Sequence, residues 1–212
     1  MCKKSTCFGK VVSPTSQYNS SINYDVGHTA ENKKINIDFK RQVVCDENEW
    51  VSHLSQEEKE AIHDYTKELP PYYRNINRVL RGQECRYEDG NENRSELIHS
   101  ALSKAKTSMD MTLWRGISDE LFHDLCESAS VGDVFVDRGY VSCSMSEGSA
   151  FHKDVLLVIN LPAGSCAASI SSLSAAGKYE EEVLIDKEQL FCITSIDNDK
   201  YGRKVITVDV LN

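Results

Sequence analysis

The sequence predicts an α+β fold in which N-terminal helices are followed by a mixed, largely antiparallel β-core of two packed sheets. Helical periodicity dominates the chain before about residue 106, with one short helical stretch after it. Short apolar runs bounded by Gly, Pro, Asp or Asn fill the remainder. Little helical pattern separates these runs, which favours antiparallel pairing over the alternating elements of a parallel sheet.

The first 45 residues differ in composition from the rest of the chain. They are rich in Ser, Asn, Lys and Thr and show no sustained period of either kind. We expect residues 1–45 to form a polar, flexible arm and residues 46–212 to form a single domain.

Three helices are predicted ahead of the strands. Ser55 and Glu58 form a capping box that predicts a helix start, and Pro70-Pro71 forbid its continuation. Apolar residues at helical spacing predict further helices over 72–80 and 94–106.

The second half begins with a predicted strand over 109–117 and a short helix over 118–126. Further strands are predicted from β-rich runs at 134–136, 140–144, 155–161, 165–170, 181–185, 191–196 and 205–210.

Composition excludes several classes of function. The 24 basic and 33 acidic residues give a net charge of −9, so nucleic acid is not an expected partner. No apolar run approaches the roughly 18 residues of a membrane span, and the N-terminus lacks the apolar stretch of a conventional signal peptide. The eight cysteines show no metal-ligand spacing, which argues against a zinc site and favours reduced thiols.

Two polar elements in the predicted strands are candidates for chemistry. Arg115 lies in an otherwise apolar strand, and its guanidinium needs a phosphate or carboxylate partner, which an internal salt bridge would also supply. Ser142 and Ser144 share one strand face, where their hydroxyls either orient a carboxylate or face solvent.

Two carboxylates form the third element. Glu180 and Glu182 share one face at the start of the apolar run 183–185. Like charges this close repel, so either one carboxyl has a raised pKa or the pair faces a cationic ligand. The alternative is an acidic gatekeeper beside an aggregation-prone strand.

The order of Arg115, then Ser142-Cys143-Ser144, then Glu180-Glu181-Glu182 resembles the R-S-E class of arginine-specific mono-ADP-ribosyltransferases. The flanks of these motifs and the helical segment 55–82 are similar to the bacterial toxin and effector branch of that class. The resemblance covers about residues 50–212 and implies the ADP-ribosyltransferase fold for the predicted domain.

The resemblance also implies roles for individual residues. NAD would be the substrate, and no metal would be needed. Glu182 would be the catalytic carboxylate, which binds a hydroxyl of the nicotinamide ribose, and Ser142 would hydrogen-bond to it. Arg115 would hold a phosphate of NAD, and Gly116 would offer backbone groups to the carboxamide. Glu180 would select arginine as the acceptor.

Four further residues would contact NAD by the same resemblance. Tyr65 and Asn77 match nucleotide contacts of the family, Phe151 matches the aromatic residue near the nicotinamide, and Ser144 belongs to the serine motif. Asp154 stands where the toxins have a second phosphate-binding arginine.

We therefore expect a monomeric enzyme that cleaves NAD at the nicotinamide–ribose bond and transfers ADP-ribose to an arginine of a target protein. It would be a delivered effector, a toxin or a phage enzyme, located in the cytosol or secreted into a target-cell cytosol without a conventional signal peptide. Two alternatives remain open: an NAD glycohydrolase, which would not need Glu180, and a catalytically inactive module of the same fold that binds a partner protein.

Overall fold

The computed structural model describes residues 30–83, 86–88, 90–175 and 181–211. The helices in these ranges are α1 (Ala30–Ser52), α2 (Gln56–Tyr65), α3 (Tyr72–Leu80), α4 (Asn91–Ser103) and α5 (Asp119–Ser128). The strands are β1 (Met111–Ile117), β2 (Val134–Asp137), β3 (Val141–Ser144), β4 (Val155–Leu161), β5 (Ala167–Ser169), β6 (Glu182–Ile185), β7 (Gln189–Asn198) and β8 (Lys204–Leu211). The predicted α+β class is confirmed.

Local signals set the helix bounds closely. Ser55 Oγ accepts a hydrogen bond from the backbone N of Glu58, and the Glu58 carboxylate accepts one from the backbone N of Ser55, at 3.2 and 2.8 Å. This capping box starts α2 where the sequence predicted it. The bounds of α3 coincide with the prediction, and α4 begins at Asn91 rather than at residue 94. Within the described ranges, no helix combines the length and the apolar character of a membrane span.

Helix α1 crosses residue 45, where the sequence predicted the end of a flexible arm. Val43 and Trp50 are buried, and the indole N–H of Trp50 donates to the carbonyl of Ala101 at 2.8 Å. The part of the predicted arm from Ala30 onward is therefore helical. Residues 1–29 lie outside the described residues, and a flexible arm there stays a prediction.

The strands form one eight-stranded sheet in the order β2-β7-β8-β4-β1-β3-β6-β5. Strands β4 and β8 are parallel, and the other neighbouring pairs are antiparallel. Strands β1 and β3 pair at a single position, Trp114 opposite Ser144. This narrow connection divides the sheet into a five-stranded and a three-stranded half, so the strands form one mixed sheet where the sequence predicted two packed sheets.

Two hydrophobic clusters hold the three-stranded half in place. Leu113 of the five-stranded half packs in one cluster with Cys143 and Val183 of the three-stranded half. Leu184 points to the opposite face of β6 and packs with helix residues such as Ile98 in the second cluster. Strand β6 is thus buried on both faces from Val183 onward, whereas β3 buries Val141 and Cys143 on one face and leaves its serines half-buried on the other.

Candidate active site

Ser142 and Glu182 lie diagonally opposite each other on neighbouring strands. Strands β3 and β6 are antiparallel, with Ser144 paired to Glu182 and Ser142 paired to Leu184. The hydroxyl of Ser142 donates a hydrogen bond to Glu182 Oε1. Both side chains are half-buried, so a carboxylate oriented by the hydroxyl remains accessible to a ligand.

Strand β3 alternates as its sequence predicted. Val141 and Cys143 are buried, whereas Ser142 and Ser144 are half-buried on the other face. Burial raises the pKa of the Cys143 thiol to about 12, so the thiol stays neutral in the core. Ser144 Oγ donates to the carbonyl of Ser149 at 3.1 Å, which ties the loop after β3 to the strand.

Arg115 projects from β1 beside the serine motif. Its Nη1 donates to the backbone carbonyl of Ser142 at 3.2 Å. The alternative predicted for this arginine was an internal salt bridge, and none is found for it among the described residues. A guanidinium has five N–H donors, so this half-buried side chain has donors to offer an anionic ligand.

Close backbone contact at Gly116 brings a second loop to the site. A Cβ atom on Gly116 would lie 1.9 Å from the carbonyl oxygen of Phe151, so only glycine permits this approach. The Phe151 ring is 74% exposed at the edge of the site. An exposed aromatic face of this kind is available for packing against a planar ligand.

Tyr65 and Asn77 lie behind the site rather than on its surface. Tyr65 is 3% exposed and Asn77 is 8% exposed. Asn77 Nδ2 donates to the Tyr65 hydroxyl at 2.8 Å, and Asn77 Oδ1 accepts from the backbone N of Tyr140, just before β3, at 2.9 Å. Burial raises the pKa of Tyr65, although the hydrogen bond from Asn77 opposes the rise. The pair supports the start of β3, and its predicted contact with NAD stays a prediction.

An ion pair that the motifs did not indicate lies next to this network. Arg81 Nε and Nη2 donate to the two carboxylate oxygens of Asp137 at 2.8 and 3.0 Å, and the pair is buried. A Cβ atom on Gly139 would lie 2.8–2.9 Å from Asn77 Oδ1 and the Arg81 guanidinium, so this glycine makes room for both. The partners are 56 residues apart, and no local pattern links them.

Phe122 connects Arg81 with Arg115. The ring centroid of Phe122 lies 5.4 Å from Cζ of Arg81 and 5.8 Å from Cζ of Arg115. Both guanidinium groups are therefore within cation–π distance of one buried ring. The sequence placed Phe122 in a short helix, and its contact with the two arginines was not predicted.

The residue before Glu182 has an uncommon backbone conformation. Glu181 has a φ of 45°, in the left-handed region that residues with a Cβ rarely adopt. Its carbonyl accepts from the backbone N of Met145 at 3.1 Å, and its carboxylate is 2.5 Å from Nζ of Lys40. Glu180 lies outside the described residues, so its role stays a prediction. Among the described residues, no group of three His, Cys, Asp or Glu side chains is arranged to hold a metal ion.

Residues 45–212 match the family model described as ADP-ribosyltransferase exoenzyme. No curated protein matches the chain. Three solved structures have a similar fold. Plx2a, an ADP-ribosyltransferase toxin from Paenibacillus larvae, is 22% identical over 84% of this chain and 97% of its own, with a TM-score of 0.68. C3stau2 from S. aureus, solved with NAD, is 21% identical over 81% of this chain and 95% of its own, with a TM-score of 0.65. The C3 exoenzyme of Clostridium limosum is 20% identical over 85% of this chain and 94% of its own, with a TM-score of 0.64. At these identities the structural likeness shows the fold, whereas the family model covers well over half of the sequence. The chain therefore belongs to the ADP-ribosyltransferase exoenzyme family.

Proposed function

We propose that this ADP-ribosyltransferase cleaves NAD at the nicotinamide–ribose bond and transfers the ADP-ribose to an arginine of a target protein. The observation that carries the proposal is the hydrogen bond from Ser142 to the half-buried carboxylate of Glu182, next to Arg115. Cleavage of the nicotinamide–ribose bond leaves its electron pair on nicotinamide and positive charge on the ribose. A fixed carboxylate is suited to stabilise this charge as it develops.

Glu182 and Ser142 act as a unit in this proposal. Glu182 accepts a hydrogen bond from a hydroxyl of the nicotinamide ribose and holds negative charge near the developing cation. Ser142 keeps the carboxylate aligned, so little reorganisation is needed at the transition state. Preorganised electrostatic contacts of this kind contribute about 3–4 kcal/mol per group.

The neighbouring side chains bind the substrate. Arg115 donates to a phosphate of NAD, since a guanidinium matches phosphate oxygens well. The backbone at Gly116 binds the carboxamide, and the exposed ring of Phe151 packs near the nicotinamide. Ser144 lies on the same strand face as Ser142 and adds a second hydroxyl to that side of the site. The similar C3stau2 structure, solved with NAD, supports this choice of substrate.

Glu180 accounts for the arginine acceptor in the proposal. A guanidinium must lose a proton when its nitrogen attacks the ribose carbon, and a carboxylate can hold the group and accept that proton. The support comes from the sequence, where Glu180 stands two residues before Glu182, a spacing that resembles that of the arginine-specific class. We further propose that the protein acts as a toxin or effector in the cytosol of a target cell, because its family comprises exoenzymes. Its monomeric state stays a prediction from the sequence.

Release of nicotinamide from NAD tests the catalytic part of the proposal. Glu182→Gln keeps the shape of the side chain and removes its charge, so the kcat should fall by about 10²–10³. Glu96→Gln, the same change on the exposed face of α4, serves as the control and should keep the wild-type rate. Equal rates for Glu182→Gln and wild type would contradict the proposal. Binding of NAD without cleavage by the wild type would favour the inactive module instead.

A further inference from the structure

Helix α1 contacts the chain on both sides of the segment that leads into β6. The Glu47 carboxylate accepts from Ser169 Oγ at 2.7 Å and from the backbone N of Ser172 at 2.6 Å, just after β5. Lys40 Nζ lies 2.5 Å from Glu181 Oε1, just before β6. Lys40 and Glu47 are seven residues apart, which places them on one face of α1 about 10.5 Å apart along its axis.

Independent contacts fix α1 to the rest of the domain. The Trp50 indole donates to the carbonyl of Ala101 in α4, and the Asp46 carboxylate accepts from Ser108 Oγ at 2.6 Å, ahead of β1. Val43 is 4% exposed and packs in the cluster that both halves of the sheet share. The helix is therefore a rigid base from which Lys40 can restrain a neighbouring residue.

Glu181 is a residue whose conformation needs such restraint. Its left-handed φ of 45° is disfavoured for a side chain with a Cβ. Glu182 follows directly, so the direction in which the Glu182 carboxylate leaves the strand depends on the Glu181 backbone. The Lys40 side chain is 51% exposed and the Glu181 side chain 29% exposed, so water screens the pair in part and its expected contribution is small.

We propose that Lys40 is a positioning residue for catalysis: from α1, it holds Glu181 so that the Glu182 carboxylate faces Ser142. The inference rests on the proposed function, since it assigns Lys40 to the site at which NAD is cleaved. It adds an N-terminal helix, outside the three motifs, to the machinery of that site.

Nicotinamide release by three α1 variants tests the proposal. Lys40→Met should lower kcat about fivefold, the factor that corresponds to about 1 kcal/mol, with the KM for NAD changed less than about twofold. Lys40→Arg keeps the cation and should restore most of the rate. Arg41→Met removes the neighbouring exposed cation and is the matched control, with wild-type kinetics expected.

Salt and charge reversal distinguish positioning from a general structural role. At saturating NAD, the ratio of wild-type to Lys40→Met kcat should shrink toward one as salt rises to about 1 M, where the Debye length is about 3 Å. The double variant Lys40→Glu/Glu181→Lys should recover activity lost in Lys40→Glu. Unchanged kcat in Lys40→Met, or a loss that follows a lowered melting temperature, would overturn the proposal. A wild-type chain that does not cleave NAD would instead contradict the proposed function, and this inference would fall with it.

Discussion

Replacing Ser142 with alanine removes the hydrogen bond to Glu182 and leaves the charge of the carboxylate in place. A hydrogen bond to a charged group contributes about 1.5–3 kcal/mol. Both side chains are half-buried, and water can replace part of the bond, so the lower part of that range applies. About 2 kcal/mol corresponds to a kcat about 30-fold below that of the wild type. The contact from Arg115 should persist, because it is made to the backbone carbonyl.

The assay is nicotinamide release at saturating NAD, with thermal denaturation to confirm that each variant is folded. Ser142→Thr retains a hydroxyl and should recover a large part of the lost rate. Ser103→Ala, at an exposed serine of α4, is the control for the substitution itself. A kcat for Ser142→Ala within twofold of wild type would refute the role of the hydroxyl. Equal losses of kcat in Ser142→Ala and Ser142→Thr would show that the change in side-chain size, and not the loss of the hydrogen bond, lowers the rate.

Three further predictions concern stability and reactivity. Gly116→Ala should destabilise the fold by about 2 kcal/mol, or about 4–8 °C in melting temperature, because its Cβ would overlap a backbone carbonyl; an unchanged melting temperature would contradict that contact. Iodoacetamide at pH 8 should leave Cys143 unmodified in the folded protein, since the thiol is buried and its pKa is raised to about 12; peptide mapping that finds Cys143 alkylated before unfolding would argue against this placement. Burial raises the pKa of Glu58, but hydrogen bonds from Lys104, Ser100 and a backbone N–H outweigh it, so the folded-state pKa lies below the unfolded-state value of about 4.3. The ionised Glu58 therefore stabilises the fold above that pH. In urea denaturation, the difference in the free energy of unfolding between wild type and Glu58→Gln should shrink as pH falls through the folded-state pKa. A difference that does not change with pH would contradict this.

The sequence predicted best where a short pattern determines the structure. Ser55 and Glu58 satisfy each other's capping groups within one helical turn, so the start of α2 needs no distant contact. The alternation of Ser142 and Ser144 with buried neighbours follows from the two-residue period of a strand. The serine motif could therefore be placed on a strand face in advance, whereas β6 begins only at Glu182 and the shared face predicted for Glu180 and Glu182 stays a prediction.

Helix α1 could not be predicted from the same kind of pattern. Phe39, Val43, Glu47 and Trp50 follow helical spacing, but a carboxylate interrupts the apolar stripe. Buried Glu47 becomes favourable only because Ser169 and the backbone after it donate hydrogen bonds from 122 and 125 residues away. The polar composition of this segment therefore gave no indication of helix α1.

Long-range pairs also explain what the motifs missed in the site. Arg81 and Asp137 meet across 56 residues, and the Arg81 guanidinium fits beside Gly139, two residues after Asp137, because this glycine has no Cβ. Resemblance to the family pointed to Tyr65 and Asn77, but the sequence carries no signal that they bond to each other behind β3. Such contacts depend on how the helices pack on the three-stranded half of the sheet.

Transfer of label from NAD to agmatine, a small guanidino acceptor, tests the central claim most directly. We expect the wild type to label agmatine and to release nicotinamide. Glu182→Gln should lose both activities, whereas Glu180→Gln should lose labelling and keep much of the nicotinamide release, because the bond to nicotinamide breaks without help from Glu180. Wild-type labelling of agmatine by Glu180→Gln, or undiminished nicotinamide release by Glu182→Gln, would contradict the proposed roles of these two carboxylates.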